Sequence, residues 1–289
     1  MSKDFIISTD SACDCSSEKL EERGVSCIVM EYLHGNVAYP VSYKEKDLKD
    51  FYEKMRKGVV FKTSQINIQR YYDYFSSLLK ESRNILHISL GSGLSNTIHN
   101  AIAAKTMLEN ENSDVHIEII DSRFASLAEL MLVDKAREAR DDRKTFGETI
   151  GIVNYYVEHL DTFYTTDTLS YFVRGGRLSK FSGFVGSLMK INPILNVNKE
   201  GHLKVKTKAI GEKKAFASIL KMMKEQALQP QDQMLYVMHG DCYEKTKECA
   251  ETLVKEIGFR GYEMFFEGPI IGCHSGPGLK GFFFFGQQR

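Results

Sequence analysis

His87–Ala101, HISLGSGLSNTIHNA, decides how this chain reads. Ile85, Leu86 and Ile88 form a short buried strand, Gly91, Ser92 and Gly93 a turn, and a helix opens near Ser95, Asn96 and Thr97. A strand-to-helix turn of small residues aims backbone N–H groups, hydroxyls and the positive end of a helix dipole at one place. That place suits a carboxylate or a phosphate. Two other signals stand apart in the chain: the hydroxyl cluster Thr63-Ser64-Gln65 and a glycine-flanked His274 in HSGPG. Brought together by the fold, the three predict a site for something small, acidic at one end and otherwise apolar.

The segments around that turn alternate. Phe5–Ser8 and Val25–Glu31 read as strands, and Asp47–Met55 as a helix with Leu48, Phe51, Tyr52 and Met55 at helical spacing. Thr63-Ser64-Gln65 is expected to open a helix whose apolar face is Ile68, Tyr71, Tyr72, Phe75, Leu78 and Leu79. Ser95–Leu108 (helix), Val115–Ile120 (strand) and Leu127–Ala139 (helix) continue the pattern. Such alternation predicts an α/β fold with a mostly parallel sheet flanked by helices. In sheets of this kind ligands sit beyond the carboxyl ends of the strands.

From about residue 165 the texture changes. Phe146–His159 is helical and Phe163–Thr166 extended, and a basic glycine-rich run, Arg174–Lys180, follows. Ile191–Val197 and His202–Lys206 predict a hairpin, Lys213–Gln226 and Tyr243–Ile257 helices, and Met234–His239, Phe265, Ile270-Ile271 and Phe282–Phe285 strands. The expected organisation is an N-terminal α/β domain over residues 1–165 and a C-terminal α/β domain with a mixed or antiparallel sheet over 166–289, with the ligand between them.

Composition narrows the function. The chain has 289 residues, 43% hydrophobic and 26% charged, with 38 basic and 38 acidic side chains. Zero net charge gives no global field for nucleic acid or an anionic membrane. The first apolar run is too short for a signal peptide, and no run approaches a membrane span. The six cysteines form no CxxC pair, which points to reduced thiols in the cytoplasm and to neither a metal nor a redox cofactor. GSGLSN lacks the third glycine of a dinucleotide fingerprint, and no P-loop or GxSxG elbow occurs.

Each candidate residue also has a plainer role. Ser95 and Thr63 suit helix caps as well as ligand contacts, and Ser92 suits a turn bond. Asp10 and Asp121, each just after a strand, are expected to accept N–H bonds from neighbouring turns rather than to hold metal. His274 sits in a loop shaped by Gly272, Gly276, Pro277 and Gly278. Arg177 is either solvated charge or a partner for an anion. Two classes of function stay open on these grounds: a binding protein without catalysis, and an enzyme acting on a small phosphorylated or acidic metabolite.

Seven short motifs occur in one order: TDS (Thr9–Ser11), TSQ (Thr63–Gln65), GSGLSNT, IDS (Ile120–Ser122), GGRLSK (Gly175–Lys180), INPIL (Ile191–Leu195) and HSGPG. Together they resemble the DegV family of bacterial fatty-acid-binding proteins, over essentially the whole chain. The resemblance implies two α/β domains enclosing one long-chain fatty acid, carboxylate near the surface and acyl tail buried. It also implies a partner, a separate ATP-using fatty acid kinase subunit that makes an acyl phosphate for phospholipid synthesis. Thr63 and Ser95 match the carboxylate-binding hydroxyls, with Ser92, Asn96 and Ser275 around them. His274 matches the histidine beside the carboxylate, and Arg177 a basic residue near the entrance. Asn96 stands where the family often has glycine. The run Lys204–Lys214, including Lys208, is lysine where the family is richer in arginine, and lysine lacks arginine's bidentate geometry.

Overall fold

The computed structural model describes residues 4–178 and 191–288. Ser179 and Lys180, the end of the GGRLSK motif, lie outside them. Three sheets organise the described residues. The first is wholly parallel, in the order β2-β1-β6-β7, from β1 (Ile6–Asp10), β2 (Val25–Ile28), β6 (Asn84–Ser89) and β7 (His116–Asp121). β1 is buried along its whole length and β6 along all but its first residue. Strands buried on successive residues in this way are covered on both faces, as parallel strands are.

A small antiparallel sheet, β4-β3-β5, comprises β3 (Glu31–His34), β4 (Val37–Pro40) and β5 (Phe61–Ser64). The third sheet has the order β10-β9-β8-β13-β11-β12, built from β8 (Leu160–Thr165), β9 (Ile191–Val197), β10 (Leu203–Ile210), β11 (Met234–His239), β12 (Gly261–Phe266) and β13 (Lys280–Phe285). It is antiparallel except for the β11–β12 pair.

The helices are α1 (Ser17–Glu22), α2 (Glu45–Arg56), α3 (Ile68–Leu78), α4 (Thr97–Glu111), α5 (Leu127–Asp141), α6 (Phe146–His159), α7 (Ser170–Arg174), α8 (Glu212–Gln226), α9 (Tyr243–Ile257) and α10 (Pro269–Ser275). α5 is buried on every side over its first turns, Leu127–Asp134. It packs on β1 and β6 of the parallel sheet and on β8, β11 and β13 of the mixed one. A helix apolar all round belongs in an interior, and this one is the wedge between the two large sheets. α6 covers it and begins with a capping box, Thr145 with Glu148.

Four expectations change. Thr63-Ser64-Gln65 ends a strand instead of opening a helix: Thr63 pairs with Tyr32, and α3 starts later, where Asn67 Oδ1 accepts from Arg70 N at 2.9 Å. Val25–Glu31 breaks at Val29-Met30 and serves two different sheets. Ile270-Ile271 is helical; Pro269 at the first position favours the helix start, and Gly276, at φ 77°, ends it. The strand after the 199–201 turn runs on to Ile210, past a bulge between Val205 and Thr207.

Candidate functional site

All three sheets converge on a cavity of ≈ 320 Å³, within the roughly 300–1,000 Å³ usual for small-molecule sites. From the carboxyl side of β6 come Leu90, Leu94 and Ser95, and from the β7–α5 connection Ala125 and Ser126. The small-sheet side supplies Met30, Thr63, Ser64 and Gln65, and α10 supplies Ile270, Ile271 and His274. Tyr164, Val197 and Leu203 of the mixed sheet close the far wall with Leu279 and Phe172, and Arg177 completes the lining. Most of these walls are apolar. The hydroxyls, the amide, the imidazole and the guanidinium come from Thr63, Ser64, Gln65, Ser95, His274 and Arg177, with Ser126 already bonded to Asp14.

Thr63 Oγ1 and His274 Nε2 are 2.9 Å apart, joining residues 211 positions distant in sequence. Burial, helped by the Arg177 charge, lowers His274 to about 4, so its ring is neutral at neutral pH. Arg177 Nε donates to Leu94 O at 3.0 Å and Nη1 to Gly175 O at 2.6 Å. Both bonds go to carbonyls, which fix the guanidinium without neutralising it. Ser95 Oγ accepts from Thr97 N at 3.2 Å. A hydroxyl that accepts still has its proton to donate, so this turn bond leaves Ser95 able to bond an anion.

The glycine turn itself differs from expectation. Gly91 N donates to Phe124 O at 2.7 Å, and Leu94 N and Ser95 N to Gly91 O at 3.0 and 3.1 Å. Ser92 N donates to Asp121 Oδ1 at 3.0 Å, and its hydroxyl also goes to Asp121. These N–H groups are spent inside the protein. A Cβ on Gly91 would run into the backbone of Arg123-Phe124, and one on Gly93 into that of Glu200-Gly201. The glycines therefore admit neighbouring protein backbone.

Ser92, Asn96, Ser275 and Lys208 are not among the lining residues. Ser92 is held by Asp121, and Asn96 is exposed at the cap of α4 without a side-chain cap bond. Ser275 is buried and bonds Ile271 O at 3.2 Å, because helical spacing turns it away from His274. Lys208 is exposed on β10, an edge strand. Asp10 and Asp121 accept turn N–H groups as expected, Asp10 from Ala12 and Leu90. Among the described residues no His, Cys, Asp or Glu group is arranged to hold a metal ion, and no helix is long and apolar enough to cross a membrane. The apolar lining had no local signature, since each element contributes only a few of its side chains.

The fold and this cavity define an α/β protein with an internal, mostly apolar pocket that carries polar groups on part of its wall. The family model described as "Uncharacterised protein, DegV family" matches residues 4–287, and the chain belongs to that family. It is 30% identical over 289 residues to a DegV domain-containing protein of Clostridium perfringens, covering 99% of each chain. A crystal structure described as a DegV lipid binding protein from Thermotoga maritima is 25% identical, with a TM-score of 0.83 and 99% of each chain covered. A structure described as DegV, a fatty acid binding protein from Bacillus subtilis, is also 25% identical. Its TM-score is 0.83, with 97% of this chain and 99% of that one covered.

Proposed function

We propose that this protein binds one long-chain fatty acid in the cavity, with its tail along the apolar walls and its carboxylate at Thr63, Ser95, His274 and Arg177. The observation that carries this is a mostly apolar pocket on which neutral hydroxyls, a neutral imidazole and a fixed guanidinium converge. A buried acyl chain of about 14 methylenes brings a gross drive on the order of 11 kcal/mol, which ordering of the chain reduces considerably. The tail then sets affinity and the head group sets orientation. With the Arg177 guanidinium tied to carbonyls beside them, the hydroxyl donors engage one carboxylate oxygen and leave the other open to attack a nucleotide phosphate brought by a partner.

On this reading the chain presents its acid to a separate ATP-dependent kinase in the cytoplasm, with Arg177 near the mouth and Lys208 on the docking edge. The division into units near residue 165, with the ligand between them, belongs to the same proposal. Native mass spectrometry tests it: the purified protein should carry, or take up, one fatty acid. An apo mass that persists with added palmitate or oleate overturns it, and turnover of ATP or a phosphoester by the isolated chain would favour an enzyme instead.

A further inference from the structure

Behind the cavity lies a set of buried carboxyls that ligand binding does not use. Asp14 and Ser126 both adopt left-handed backbone, at φ 55° and 62°. Non-glycine residues hold such conformations only where their surroundings impose them. Here Asp14 ties two cavity walls together. Its Oδ2 accepts the hydroxyl of Ser126, which lines the cavity, and its Oδ1 accepts from Gly268 N at 2.9 Å. Gly268 caps α10, the helix that carries Ile270, Ile271 and His274. The preceding residue, Glu267, accepts the phenol of Tyr52 on α2 at 2.6 Å. Asp14, Glu267 and Tyr52 are all buried.

We propose that Asp14 and Glu267 are positioning residues for the cavity and act together as a proton-operated latch. With one of the two protonated they hold Ser126 and α10 against the Thr63 strand; with both ionised that brace loosens and ligand is released. The inference rests on the fatty-acid reading for its ligand but not for its latch. Asp14 holds the Ser126 hydroxyl and Gly268 N, whereas Glu267 holds only the Tyr52 phenol and its Oε1 bonds nothing. The nearby Tyr43 and Ser275 hydroxyls donate to Ser11 O and Ile271 O, which leaves donors for one buried negative charge. A second would stand beside the first.

The other groups facing the pair are Tyr43, the Tyr164 phenol on β8, the Cys15, Cys242 and Cys273 thiols, Ser275, and Glu129 on α5. The basic side chains on the surrounding elements are engaged elsewhere or lie outside the pair: Arg23 with Asp134, Lys280 with Glu212, Arg174 over the Tyr171 ring, and Lys19 on α1 beside Cys15. Desolvation pushes Asp14 up to about 7, and desolvation with the Asp14 charge pushes Glu267 up to about 8. Folded-state values raised in this way give stability that is complete below the ordinary carboxyl values of 3.8 and 4.5, is lost as pH rises from there toward about 7 to 8, and is constant above. In the folded protein the His274 ring has lost its proton near 4, well below the 7 to 8 range in which the pair changes charge.

The experiment is oleate affinity of the full chain from pH 6.5 to 9.5, beside the thermal midpoint of the ligand-free protein over pH 5–9.5. Wild-type affinity should fall about tenfold across the window, and Glu267→Gln and Asp14→Asn should each flatten the fall. The ligand-free midpoint of each variant should gain on wild type as pH rises. A flat wild-type affinity, or variants that keep the wild-type profile, overturns the latch. Should wild type bind no oleate at any pH, the fatty-acid reading fails, and the midpoints alone decide: a widening gap supports the latch and a constant gap overturns it. Should one variant not fold, the other and the wild-type profile still decide.

Discussion

The Gly91–Ser95 turn and the α10 helix both line the one cavity, yet they hold their places for different reasons. The turn has the stronger local motif, and its glycines and N–H groups are consumed by contacts with Arg123-Phe124, Gly201 and Asp121. It gives the cavity Leu94 and Ser95 only. α10 begins at a proline and carries only the start of the HSGPG motif at its end, and it contributes Ile270, Ile271 and His274. Glycine marks a close approach without saying what approaches. A polar side chain on a short rigid helix is aimed by the packing of that helix, which a local pattern does not record.

The contrast can be broken most forcefully at the hydroxyls. Thr63→Val with Ser95→Ala should cost fatty-acid affinity at least about 100-fold, since each bond to a charged group is worth about 1.5–3 kcal/mol. Calorimetric binding within threefold of wild type would remove both residues from the head-group site. Gly93→Ala sharpens the distinction next. If the glycine serves backbone packing, urea unfolding of the ligand-free protein should show a loss of about 1–3 kcal/mol; a loss confined to ligand affinity would return the turn to the ligand.

The histidines give a smaller, pH-dependent effect. Burial lowers His274 and His239 to about 4 and His87 to about 3. A depressed histidine contributes stability that is present above the ordinary value of 6.5 and lost as pH falls from there toward 4. His274→Gln should therefore reduce the acid-side drop in the thermal midpoint without removing it, because the other two remain; an unchanged drop would mean that His274 is not held neutral. Asn96→Ala should do least, with affinity within about twofold and stability within about 0.5 kcal/mol, because Asn96 is exposed and bonds nothing at its cap. A larger loss of affinity would put Asn96 at the ligand after all.

Much of the fold was legible because its elements are long and regular. Leu48, Phe51, Tyr52 and Met55 sit on one face of α2, and the buried faces of α3 and β6 follow equally plain patterns. Short segments misled. Phe61–Ser64 is a strand only because Tyr32 and its neighbours are there to pair with it, and Ile270-Ile271 is apolar in either a strand or a helix. Along the cavity, Ser95, His274 and Arg177 were visible as polar residues beside glycines, and Thr63 as part of the hydroxyl cluster Thr63-Ser64-Gln65. Asp14 carries no local signal in the sequence, since its partners Ser126 and Gly268 are 112 and 254 positions away.

The Thr63–His274 bond has a consequence for how the molecule comes into being. Closing a contact between such remote positions is among the last events of folding, because the chain entropy lost must be repaid by structure already formed. A nascent chain still on the ribosome cannot hold cargo until α10 has emerged. On the fatty-acid reading, loading would thus report that synthesis is nearly complete, and a truncation before Pro269, which also takes β13 from between β8 and β11, would leave the cavity unformed.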